Sequence, residues 1–254
     1  MMISQKADQE PLCQEPGCSS KAGCLRPALS IPSALCLLVL IVLVEIGGSR
    51  LFSRLLLVAA NGKALWDEEL WLTALLRLID LGLIMLFAFR SEYGISAIGI
   101  RPKEWRRGIR TGLAWSFVFG LTVMLIWAIA FFAFRVNFGQ LLIFSPYPFS
   151  FWLLLLVGGT FAPMVEDSFF VGCLYNSLRR KLSPLWAILG VSLLFALLHN
   201  VRGIPATQFI GGLIFTLAFE SSENLLTPII IHILGNCALF TLAYSAWIRG
   251  IMIR

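Results

Sequence analysis

Residues 149–178 read FSFWLLLLVGGTFAPMVEDSFFVGCLYNSL. About twenty consecutive apolar residues are enough for a helix to cross the hydrocarbon layer of a bilayer, and this stretch exceeds that. Yet it carries an adjacent pair of acids, Glu166 and Asp167, and a proline, Pro163, near its middle. Ionisable groups are expensive at membrane depth and need a reason to be there. The stretch therefore predicts a membrane helix built around a polar site.

The rest of the chain agrees. Of 254 residues, 58% are hydrophobic and 13% are charged, about half the charge of an ordinary soluble domain. Twenty phenylalanines and eight tryptophans suit lipid-facing helices with aromatic belts at the interfaces. Further apolar runs lie at Ile31–Ser49, Leu70–Phe89 and Leu113–Phe134, and then at Pro184–His199, Thr207–Glu220 and Leu226–Trp247. The stretch Arg50–Glu69 is mixed in character. The expected fold class is all-α, a polytopic membrane bundle of about seven transmembrane helices. Short connections make the last three antiparallel neighbours. Residues 1–30, rich in Pro, Ser, Gln, Gly and Cys, read as a disordered polar tail. Residues 31–254 read as one membrane domain without repeats.

A net charge of +6 could suggest nucleic acid, but the basic residues sit in short loops between apolar runs, so they read as orientation signals and no nucleic-acid partner is expected. Arg101, Lys103, Arg106, Arg107 and Arg110 form one cluster, and Arg179, Arg180 and Lys181 another. Two spans separate them, so both can face the cytoplasm, which puts the N-terminus inside. The expected location is a bacterial inner (cell) membrane, with the protein integral and multi-pass. Some thirty polar residues precede the first apolar run and no small-residue cleavage site follows it, so the start does not read as a usual signal peptide. Of six cysteines, Cys13, Cys18 and Cys24 lie in the tail, which lacks both a histidine and a CxxC pair. A reduced, metal-free tail follows.

Several polar residues stand out against the apolar background. Arg77 and Asp80 are three apart, hence on one helix face, and read as a salt bridge shielded from lipid. The only two histidines, His199 and His232, both fall in apolar runs. Phe195 precedes His199 by four and packs beside it. Asn236 follows His232 by four and shares its face. One membrane histidine alone reads as a hydrogen bond to a neighbouring helix. An acidic pair alone reads as an ion pair or a proton relay. Acid, His and His/Asn on three successive late spans read as a functional site. A carboxylate and an imidazole can together deprotonate water, and a second imidazole with a carboxamide can donate hydrogen bonds to an oxyanion. The same Glu166, His199 and His232 could alternatively hold zinc, but no HExxH spacing is present. The favoured reading needs no cofactor.

Glu166-Asp167-x-x-Phe170-x-Gly172, then Phe195-x-x-x-His199, then His232-x-x-x-Asn236 resembles the CPBP family of intramembrane proteases, which includes CAAX prenyl proteases and bacteriocin-processing proteins. The resemblance covers a core of about residues 150–245. It implies an all-helical membrane fold in which Glu166 with His199 activates water while His232 and Asn236 stabilise the oxyanion; Asp167 and Phe195 support the site. The family's first motif usually reads Glu-Glu-x-x-x-Arg, whereas this chain has Asp167 and Val171. An acid and an Arg four apart can pair across one turn, so Asp167 is expected either to be neutral or to borrow a partner from elsewhere, such as Ser168, Asn200 or water. The function implied is an intramembrane endopeptidase that matures a membrane-embedded or lipid-anchored protein. A non-catalytic relative, or a proton-coupled carrier using the same groups, is the alternative.

Overall fold

Inside lipid a backbone must satisfy its own N–H and C=O groups, which a helix does without a partner. The computed structural model of the chain describes residues 26–59, 66–135, 150–199 and 205–248, and among these it contains helices and no strand. Seven rods follow in order: α1 (Ile31–Ala59), α2 (Trp66–Arg90), α3 (Trp105–Phe134), α4 (Phe151–Leu178), α5 (Pro184–Leu198), α6 (Ala206–Ser222) and α7 (Leu226–Ile248). Five of them, α1 to α4 and α7, are long and apolar enough to cross a membrane. The shorter α5 and α6 have 15 and 17 residues. The chain is an all-α bundle of the expected kind.

Some boundaries differ from those expected. The mixed stretch Arg50–Glu69 is largely helix, because α1 continues past Ser49 and α2 begins at Trp66. Arg50 and Arg54 lie exposed, where their charge does not oppose the helix. Asp67, Glu68 and Glu69 occupy the first turn of α2, where the helix dipole favours negative charge. His199 is not within a helix: α5 ends at Leu198 and His199 adopts an extended conformation, φ −84° and ψ 120°. Asn200, Phe149, and the cysteines Cys13, Cys18 and Cys24 lie outside the described residues.

The bundle is organised around α4. Phe169, Val171, Cys173, Leu174 and Tyr175 are at most 3% exposed, so this helix is enclosed by the others. Outward faces are apolar instead: Phe117, Met124 and Phe132 of α3 are all exposed, as lipid-facing residues should be. Trp71, Trp105, Trp152 and Trp186, each near the start of its helix, are exposed as well, the positions of an interfacial belt.

One end of the bundle gathers the basic residues. Arg26 pairs with Glu220 at 2.6 Å and Glu223 at 3.2 Å, Arg101 with Glu223 at 2.8 Å, and Arg179 with Glu220 at 3.1 Å. The two basic loops and residue 26 thus share an end. Residues 26–30, at the close of the polar tail, pack on the bundle there. Asn176 donates its amide to the carbonyls of Pro27 (2.7 Å) and Ala97 (3.0 Å).

α4 is not a uniform helix. It widens into π-helix over Val157–Phe161 and again over Ser168–Tyr175. Pro163 has no N–H and deprives a carbonyl one turn earlier of its partner. α7 brings side-chain donors to this region: Cys237 Sγ lies 3.6 Å from the Gly159 carbonyl, and Asn236 Nδ2 donates to the Gly158 carbonyl at 3.2 Å. Close approach requires the two glycines, since a Cβ at 158 would sit 3.0 Å from the Phe240 ring and one at 159 would sit 2.9 Å from Cys237 Sγ. Small residues at such crossings are how membrane helices pack.

Gly172 makes the equivalent contact at the other π segment. A Cβ there would lie 2.7 Å from the backbone oxygen of Ile98, which cannot step aside as a side chain could. Gly172→Ala should therefore destabilise the protein by about 1–3 kcal/mol, seen as a lower thermal midpoint in detergent. Gly190→Ala, whose Cβ meets nothing within 4 Å, should leave it in place. Equal midpoints for the two variants would contradict the tight packing of α4 on the turn at Ile98.

Candidate active site

Between its two π segments α4 presents Glu166 and Asp167 in opposite roles. Successive helical residues point about 100° apart. Asp167 turns inward, its side chain 1% exposed, while Glu166 is 13% exposed. The end of α5 brings His199, and α7 brings His232. The Nε2 atoms of the two histidines lie 3.8 Å and 3.9 Å from the same oxygen, Glu166 Oε2. Residues 33 and 66 positions apart thus meet at one carboxylate.

Each imidazole is held by its other nitrogen. His199 Nδ1 lies 2.6 Å from the Phe195 carbonyl. A carbonyl only accepts, so Nδ1 carries the hydrogen and a neutral His199 offers a bare Nε2. His232 Nδ1 lies 3.3 Å from Asp167 Oδ1, which orients that ring in the same sense. Phe215 stacks on His232 at 4.2 Å between centroids, Phe195 packs against His199 at 4.4 Å, and Phe170 meets Phe195 edge to face at 5.0 Å. An apolar wall therefore backs both imidazoles. His232 is 7% exposed and His199 30%, so His199 is the more open of the two imidazoles.

Asp167 does borrow a partner from elsewhere in the bundle, but that partner is not Ser168. It is His232, across the bundle. The Ser168 hydroxyl donates instead to the Met164 carbonyl at 2.6 Å. Val171, in the place of the family's usual Arg, is 2% exposed in the apolar core. The sequence showed that Asp167 lacked a cation one turn away but could not show that a histidine 65 residues later would replace it. Asn236 shares a face with His232, but its amide donates to Gly158, about two turns from Glu166 along α4.

Three further residues, Arg77, Asp80 and Glu45, belong to this constellation. Arg77 of α2 reaches Asp80 at 3.4 Å, as its spacing suggested, but it also reaches Glu45 of α1 at 3.0 Å and Glu166 at 3.5 Å. Glu45 was legible by the same rule of cost, being an acid within an apolar run. Its partner was not, because α1 and α2 carry no motif that links them to α4. Among the described residues no three His, Cys, Asp or Glu side chains are grouped so as to hold a metal ion.

Helical bundle, buried carboxylates and paired imidazoles mark a membrane protein with a polar site enclosed among its helices. Residues 148–238 match the family model described as Type II CAAX prenyl endopeptidase Rce1-like, which bears out the resemblance to the CPBP intramembrane proteases. The matched segment contains Glu166, Asp167, His199, His232 and Asn236, with all of α4 and α5 and the first part of α7; Glu45, Arg77 and Asp80 lie outside it. No curated protein and no solved structure matches the chain.

The contact between Asp167 and His232 makes a graded prediction. Asp167→Asn keeps an oxygen that can accept from Nδ1, whereas Asp167→Ala leaves the ring nitrogen of a buried histidine without a partner, at a cost of about 1–3 kcal/mol. The Ala variant should melt lower than the Asn variant, and its His232 ring resonances should broaden. Equal melting and unchanged resonances in both would contradict the contact.

Proposed function

We propose that this protein is an intramembrane endopeptidase that cleaves a membrane-embedded or lipid-anchored protein with water activated by Glu166 and His199. The observation that carries the reading is the convergence of both Nε2 atoms on Glu166 Oε2 at 3.8 and 3.9 Å. Those separations are too long for direct hydrogen bonds and suit a water held between the groups.

In the proposed reaction Glu166 takes a proton from that water while His199 Nε2 accepts a hydrogen bond from it. The oxygen adds to the scissile carbonyl. His232, charged and paired with Asp167 at Nδ1, presents its Nε2–H to the developing oxyanion. Asn236 has a second amide hydrogen beyond the one given to Gly158 and contributes it on the same side. The proton held by Glu166 then passes to the amide nitrogen as the C–N bond breaks. The new carboxylic acid gives its remaining proton to the departing amine, so the products are a carboxylate and an ammonium, with Glu166 again ionised. No cofactor enters this scheme; zinc on Glu166, His199 and His232 is the competing version.

Substrate would arrive through the lipid and approach from the more open His199 side. The basic end that unites Arg26, Arg101 and Arg179 would face the cytoplasm, by the positive-inside rule, with the N-terminus on that side. A bacterial inner membrane is the setting this orientation fits.

Cells carrying Glu166→Ala should accumulate an unprocessed membrane-anchored protein that the wild type shortens. Purified Glu166→Gln and His199→Ala should fold and insert yet lose on the order of 10²–10⁴ in turnover, the usual contribution of a positioned base. Proton flux in liposomes with no cleavage product would favour a carrier. Stoichiometric zinc, lost together with activity on chelation, would replace the metal-free scheme by the zinc one.

A further inference from the structure

The cation nearest Glu166 comes from outside the family-matched segment. One guanidinium, that of Arg77, meets carboxylates on three helices: Glu45 of α1, Asp80 of α2 and Glu166 of α4. The contacts are divided between its nitrogens. Nη1 faces Glu45 Oε1 and Asp80 Oδ2, whereas Nη2 alone faces Glu166 Oε1 at 3.5 Å. A bridge made only to brace α1 against α2 would have no reason to aim Nη2 at α4. The two oxygens of Glu166 are likewise divided. Oε1 meets the guanidinium and Oε2 meets both imidazoles. Position 171, where the family pattern has an arginine, is an apolar core residue here, so no cation on α4 itself competes for the site.

We infer that Arg77 is the positioning residue for Glu166: its guanidinium holds Oε1 and so turns Oε2 toward His199 and His232, while Glu45 and Asp80 hold the guanidinium in place. The planar fork of arginine is what permits this, since its donors reach separate carboxylates at once. A lysine ammonium is a single point charge and can serve the three acids only in part. The consequence for turnover rests on Glu166 being the water-activating base; the consequence for geometry does not.

The chain has only two histidines, which makes the geometry readable without substrate. In full-length protein labelled with ¹⁵N in the histidine rings and held in lipid nanodiscs, the two Nε2 resonances report what faces Glu166 Oε2. Glu166→Gln and Arg77→Met should each displace both resonances. The double variant should match Glu166→Gln alone, because Arg77 acts through Glu166, and additivity fails for residues acting as one unit. Arg77→Lys should fall between wild type and Arg77→Met, and it carries the test if the methionine variant does not fold. Where cleavage is measured, Arg77→Met should lower kcat by about 10²-fold, the penalty of a misplaced group, with KM unchanged. Nε2 resonances that stay at wild-type positions in both Arg77 variants, or singles that sum in the double, would overturn the inference. Displaced resonances in a protein that cleaves nothing would remove the protease reading and leave the positioning role standing.

Discussion

A carboxylate buried in a membrane bundle must be surrounded by groups that tolerate its charge, and Glu166 is the point at which this structure meets that requirement. Its two oxygens are assigned to different partners, Arg77 on one side and His199 with His232 on the other. Those partners come from α2, the end of α5 and α7. Moving any of these helices away would leave an acid, a guanidinium or an imidazole facing lipid-packed apolar side chains, at several kcal/mol for an uncompensated charge. The requirement to enclose one acid therefore sets which helices must touch.

The local irregularities of α4 follow from the same need. Pro163 and two π segments interrupt the ordinary ladder just before and after Glu166 and Asp167, and π segments commonly mark functional positions in helices. The carbonyls of Gly158 and Gly159 accept from Asn236 and Cys237, which ties α7 to α4 at the first π segment. That tie also sets the rotation of α7, and so aims His232, one turn earlier, at Glu166 and Asp167. Asn236 in this view has a structural contact in hand before any chemistry begins.

Much of this was legible in the sequence. The seven apolar runs forecast the seven rods because a backbone in lipid must satisfy its own polar groups, which a helix does without a partner; five of the rods are long enough to span. Buried acids, histidines and Asn236 stood out because each is costly in an apolar run. The connections between distant helices were not legible. Arg77 and Asp80 showed their mutual spacing, but nothing local pointed from Arg77 to Glu45 or Glu166. Asp167 looked unpaired because sequence spacing reveals partners one turn away and not partners across a bundle. His199 was read as helical, since an apolar run with a terminal histidine gives no sign that α5 stops one residue short.

If Glu166, His199 and His232 surround the scissile bond as proposed, an experimental structure of Glu166→Gln with an uncleaved membrane-anchored peptide bound will place the scissile carbonyl within reach of the residue 166 side chain and of both Nε2 atoms, with the peptide entering past His199. A peptide bound elsewhere, or His199 and His232 turned to opposite lipid-facing sides of the bundle, would rule that arrangement out.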